Sequence, residues 1–195
     1  MRPGQSDALS KITAMTEQLS KLQMDYWQQY SNIETWGFKI ILLIFVVPLV
    51  LLYFTIDRKH ILLLGFYGLN VHIWFSYINI AGVKQGFYTY PFELIPFIPG
   101  NLALDASLIP VLFILVYQWT MRHRKNFYLY SIALSLFLAF IFKPILVYVG
   151  MFVMYKGTNY FILFVLYCII FLLSKLITNL FLKMQESPRA TKEEI

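Results

Sequence analysis

The stretch FKIILLIFVVPLVLLYFTI, residues 38–56, decides the fold: its only charge, Lys39, sits at one edge. A helix rises about 1.5 Å per residue, so ~20 apolar residues match a hydrocarbon layer of about 30 Å. The run follows a mixed polar segment, is too long for a signal-peptide core, and ends in Asp57-Arg58-Lys59. It therefore reads as a retained span and not as a cleaved signal. Working outward, similar runs cover Ile61 to Val83, Leu102 to Thr120, Phe127 to Gly150 and Tyr160 to Leu182. The expected fold is all-α: a polytopic membrane bundle of five spans behind an N-terminal amphipathic helix.

Composition agrees. Of 195 residues, 59% are hydrophobic and 13% charged, with mean hydropathy +0.64. Soluble domains carry roughly a quarter charged residues, so a water-soluble domain is excluded. Cys168 is the single cysteine, which leaves no intramolecular disulfide and no thiolate metal cluster. The net charge of +6 need not mean nucleic acid, because membrane proteins gather Lys and Arg in cytoplasmic loops. The segments after spans 1, 3 and 5 hold Arg58, Lys59, Arg122, Arg124, Lys125, Lys183, Arg189 and Lys192; those after spans 2 and 4 hold only Lys84 and Lys156. This bias puts the C-terminus in the cytoplasm and the N-terminus outside, against the pull of Arg2, Lys11, Lys21 and Lys39. Pro48, Pro110 and Pro144 lie inside runs and predict kinks, not breaks.

Residues 1–37 predict a separate N-terminal helix, 38–182 the bundle, and 183–195 a polar tail. Ser6-Asp7 can cap the first helix. Ile12, Met15, Leu19, Leu22, Tyr26, Ile33 and Trp36 then keep heptad spacing, interrupted by Gln29. Two uses fit: a helix lying along the headgroups with Tyr26, Trp27, Tyr30 and Trp36 as anchors, or a coiled-coil contact. The contact would join a second copy or another membrane protein through residues 6–36. Gly37 offers a bend before the first span.

Residues 86–110 are apolar, aromatic and punctuated by Pro91, Pro96 and Pro99, which forbid a regular helix. An interfacial loop is the plain reading; a cover over the outer mouth or a shallow re-entrant segment are the others. The pattern Tyr88-x-Tyr90-Pro91-Phe92-Glu93-x-x-Pro96, then Asp105, Ile109-Pro110 and Tyr117-Gln118, resembles a family of small multipass membrane proteins of spore-forming Gram-positive bacteria. The basic turn Asp57-Arg58-Lys59 before a Leu-rich span fits as well. The resemblance covers roughly residues 38–150. It implies a bacterial cell membrane and carries no activity and no catalytic residues.

Charges inside spans cost a few kcal/mol each, so each needs a reason. Asp105 and Lys143 fall at similar depths in spans 3 and 4, and Ser131, Ser135 and Ala139 lead to Lys143 at spacings of four. Three readings fit: an outward-facing polar pocket of Lys143, Asp105, Glu93, His72 and Asn70 for an ion, proton or small anion; a neutralising Lys143–Asp105 pair; or a snorkelling Lys143. Lys175 reads as snorkelling to inner headgroups, with Gln118 or Asp57 as further partners. Gly82-x-x-x-Gly86 straddles a span end and is discounted as a dimer motif. The sequence has no HExxH, no Walker-type loop, no nucleophile elbow and no convincing internal repeat. No catalytic, cofactor or metal site is expected. A non-enzymatic membrane subunit or interaction protein is favoured over a small transporter or channel component, and a membrane-embedded enzyme ranks last.

Overall fold

The computed structural model describes residues 2, 4–98 and 100–186. Helix α1 (Gln5–Tyr26) runs into a wide π turn at Trp27–Ser31, and the chain then bends at residues 32–35. Five helical rods follow: α2 (Trp36–Thr55), α3 (Ile61–Lys84), α4 (Ile109–Arg122), the continuous pair α5 (Phe127–Phe137) and α6 (Lys143–Tyr148), and α7 (Tyr160–Glu186). All five are long and apolar enough to cross a membrane. They alternate in direction, so one end of the bundle gathers the aromatic loops and the other gathers Asp57–His60 and His123–Asn126. α3 packs on α4 and α7, α5 bridges α4 and α7, and α2 leans on the start of α4.

Burial runs opposite to a soluble protein. α2 is the most apolar rod, yet only 17% of its apolar stretch is buried, against 56% for the more polar α4. Leu43, Leu51 and Phe54 of α2 point outward at 60%, 53% and 76% exposure. The polar residues Asn70, Asn79, Asp105, Ser131, Ser135, Lys143, Ser174 and Thr178 face inward. Water would drive the opposite partition.

Prolines explain the irregular turns. Proline lacks an N–H, and its ring clashes with the carbonyl four residues back. For Pro110 that carbonyl is on Ala106, inside a π turn at Leu104–Leu108; for Pro144 it is on Phe140, inside a π turn at Leu138–Phe142. Both helices thus widen by one residue where a kink was expected. Pro48 stays within α2, and Ser107 Oγ donates to the Phe45 carbonyl at 2.6 Å, in the turn before it.

Other expectations shift. Gly4, with φ +83°, stands at the N-cap, and Ser6 and Asp7 lie in the first turn of α1. The bend precedes Gly37, which lies in the first turn of α2 with the Phe92 ring packed where a Cβ would go. The heptad row ends at Tyr26, because Ile33 falls in the bend and Trp36 starts α2. At its far end α7 extends to Glu186, beyond the expected boundary at 182, while Arg189, Lys192 and the rest of 187–195 lie outside the described residues. The fold is not purely helical: Tyr88–Thr89 (β1) pairs antiparallel with Val153–Met154 (β2), tying the two aromatic-end loops together. Residues 86–98 fold over that end, with Tyr88 and Tyr90 5% and 4% exposed. Gly82 marks where the Tyr88 ring lies against α3.

Candidate functional site: a polar chain from Lys143 to Asp105

Each member of the site is placed by local sequence. Asp105 sits in the π turn ahead of Pro110, with Asn101 Oδ1 capping the first turn through Leu104 N at 3.2 Å. Lys143 follows the second π turn, just before Pro144. Asn79 lies on α3 in line with His72 and Ser76 at helical spacings of four and three. Tyr90 enters from the loop, held by the β1–β2 pairing one residue earlier and by Pro91 after it.

Lys143 and Asp105 form no direct ion pair; among the described residues the ion pair within 4.0 Å is His60–Asp57. They are joined through two neutral groups. Lys143 Nζ donates to Tyr90 Oη at 3.1 Å, Tyr90 Oη donates to Asn79 Oδ1 at 2.9 Å, and Asn79 Nδ2 donates to Asp105 Oδ1 at 2.7 Å. The direction follows from the ends. An ammonium only donates, so Tyr90 must accept from it and pass its single proton on; an ionised carboxylate only accepts, so the Asn79 amide must turn its NH₂ that way. All bond dipoles then run the same way and reinforce one another.

Lys143 is 2% exposed and does not snorkel. Its ammonium lies 3.8 Å from the centre of the Phe152 ring and 4.9 Å from that of Tyr90, whose negative faces favour a cation. Gly100, at φ +104°, closes the other side of Asp105: a Cβ there would stand 2.8 Å from Asp105 Oδ2. Beside Lys143, Asn79 and Tyr167 is a cavity of about 20 Å³, room for one water-sized group. The buried Tyr167 hydroxyl has no hydrogen-bond partner among the described residues.

The five residues expected to line one pocket separate into three places. Lys143 and Asp105 share the chain. His72 joins it only through backbone, its Nδ1 lying 2.7 Å from the Asp105 carbonyl, which fixes the proton on that nitrogen. Asn70 is buried nine residues before Asn79 on α3 and bonds its own helix at Phe66 O, 2.9 Å. Glu93 is turned toward α1: its N–H donates to Ser31 Oγ at 2.8 Å, and its carbonyl accepts from Trp27 Nε1 at 2.9 Å. Its carboxyl faces a groove of about 380 Å³ lined by Tyr26, Trp27 and Tyr155. Burial without a partner pushes that carboxyl up to about 8. In the loop, burial likewise raises the Tyr88 and Tyr90 phenols.

Asn79, Tyr90, Phe152 and Tyr167 are the residues that sequence reading missed. A signal existed for Asn79, on the His72–Ser76–Asn79 row. None existed for Phe152 or Tyr167, which read as ordinary apolar positions. Chemically the chain is closed. Its two charges cancel across three hydrogen bonds, and it binds α3, the π turn leading into α4, α6 and the aromatic loop into one unit. Comparison with protein-family models, with curated proteins and with solved structures finds no match.

Proposed function

We propose that this chain is an integral membrane protein of a bacterial cell membrane, non-enzymatic, that associates through its N-terminal helix with a second copy. Bilayer insertion is supported by the inverted burial of α2 and α4. The bacterial setting is supported by the resemblance of residues 38–150, and an outside N-terminus by the Lys and Arg bias.

The observation that carries the association is α1 itself. It has no buried residue, and Ile12, Met15, Leu19 and Leu22 stand 55–68% exposed along one seam. In the heptad frame set by Ile12 and Met15, Lys11, Gln18 and Asp25 share one flanking position. An antiparallel pair centred on Gln18 sets Lys11 of each copy opposite Asp25 of the other. That complementarity favours a second copy over an unrelated partner. The Lys143–Asp105 chain then serves as scaffold, since it leaves no open pocket for a cargo.

Disulfide or chemical crosslinking of the full chain in membranes tests the association. Leu19→Asp abolishes the crosslinked dimer; Lys11→Asp weakens it, and adding Asp25→Lys restores it. Dimers unchanged by Leu19→Asp would assign α1 to the headgroup plane instead. Topology is tested separately: alkaline phosphatase is active when fused after residue 157 and inactive after residue 125, and the reverse pattern overturns the orientation.

A further inference from the structure

We propose that the groove between the N-terminal helix and the aromatic-end loops is a binding site for an organic ammonium group, carried either by a lipid headgroup or by a free amine. The groove has a volume of about 380 Å³ and lies between the Tyr26–Ser31 turn, the loop at Thr89–Glu93 and the strand end at Val153–Tyr155. That is headgroup size, and the bundle end it occupies carries the aromatic loops.

Its chemistry selects a cation. Glu93 supplies the one carboxylate, and no Lys, Arg or His lines the groove. The Glu93 backbone is clamped on both sides by Ser31 and Trp27, so the carboxyl is presented by a rigid frame and not by a free loop. No hydrogen bond or ion pair among the described residues engages that carboxyl. Lys156, which follows the wall residue Tyr155, is turned onto the Gln85 carbonyl at 2.5 Å.

The walls select an organic cation. Tyr26, Trp27 and Tyr155 line the groove with aromatic rings around a single carboxylate, a composition suited to alkylammonium groups. A hard metal ion needs about six or more oxygen ligands, and among the described residues no three His, Cys, Asp or Glu gather. The carboxyl, held near 8 by burial, is short of a counter-charge, and a bound cation restores it to the ionised form. Three phenols line the groove with it: Tyr26, Tyr155 and Tyr90, the last donating its hydroxyl proton to Asn79. Tyr26 is itself pushed above its usual range by burial and by Glu93, so it stays neutral where Glu93 ionises.

Calorimetric titration of the full-length protein in detergent with tetramethylammonium tests the site, because that probe does not titrate. With the carboxyl near 8, about one tenth is ionised at pH 7 and about nine tenths at pH 9, so binding tightens about tenfold. Glu93→Gln, checked for an unchanged elution volume, loses both the binding and its pH dependence. Tyr155→Ala, a half-exposed wall residue, weakens binding several-fold at pH 9. Equal affinity at pH 7 and pH 9 in the wild-type protein overturns the proposal whether or not Glu93→Gln folds; so does equal affinity of a folded Glu93→Gln. The source is read in nanodiscs. If phosphatidylethanolamine lowers the affinity for tetramethylammonium relative to phosphatidylglycerol alone, the native ligand is a lipid headgroup; if it does not, a free amine is the ligand. The detergent measurement does not depend on dimerisation or on orientation, so its failure is distinct from theirs.

Discussion

Two lysines on opposite halves of the bundle are seated alike and neutralised differently. Lys143, toward the aromatic end, lies on Phe152 and donates to Tyr90. Lys175, toward the basic end, lies 3.9 Å from the centre of the Tyr117 ring and 5.2 Å from that of Phe127, and donates to Tyr117 Oη at 2.6 Å. Each ammonium therefore rests on one tyrosine and one phenylalanine. Lys143 is sealed, and its tyrosine leads through Asn79 to a carboxylate. Lys175 is only partly buried, and its hydrogen bond ends on Tyr117, with no acid beyond it among the described residues. The difference shows what an aromatic seat can and cannot do. Ring faces and one hydroxyl suffice for an ammonium that is only partly enclosed, whereas a fully enclosed one needs a counter-charge, even two groups away.

The comparison breaks hardest at Asp105. Asp105→Leu leaves Lys143 enclosed without its counter-charge and costs about 3–5 kcal/mol, read as a lower unfolding midpoint in detergent and a lower membrane level. Lys143→Met placed on top restores most of that loss, because both charges are then gone. If the double variant is no better than the single, the two ends are not coupled. Tyr90→Phe keeps the ring under Lys143 but removes the link, leaving an ammonium proton and the Asn79 oxygen unpaired. That costs about 1–3 kcal/mol by the same measurement. Lys175→Met has the smallest effect, under about 1 kcal/mol, because a partly exposed cation loses little when removed. A loss as large as that of Asp105→Leu would erase the distinction between the two ends.

The parts of this molecule legible in its sequence are those with local causes. The five rods follow from apolar length alone, and their ends moved by a few residues where caps such as Thr35 and Asp57 set them. Asp105 and Lys143 drew notice because charge in an apolar run is conspicuous, and their matched depths could be counted. What lay between them could not. Tyr90 comes from a loop and Asn79 from a different helix, so the link depends on a fold that brings residues 79, 90, 105 and 143 together. The β1–β2 pairing joins residues 64 and 66 positions apart with strands only two residues long, too short to leave a pattern. Lys175 was expected to snorkel, with Gln118 or Asp57 as further partners. Its hydrogen bond goes to Tyr117, while Gln118 clamps the end of α2, accepting from Asp57 N at 2.7 Å and donating to Thr55 O at 2.9 Å. The prolines announced distortion but not its form.

That form has a geometric result. Ser131, Ser135, Ala139 and Lys143 are all buried, with exposures of 0%, 0%, 0% and 2%. In an even α-helix, positions four apart rotate about 40° per step, so such a row drifts off its face within a few turns. The extra residue in the wide turn at Leu138–Phe142 winds the rod back by about 100°, returning the row to the interior. Pro144 thus sets the phase of everything after it: closing that turn into regular α-helix with every residue kept would swing Lys143 about 100° out of the core, away from Tyr90.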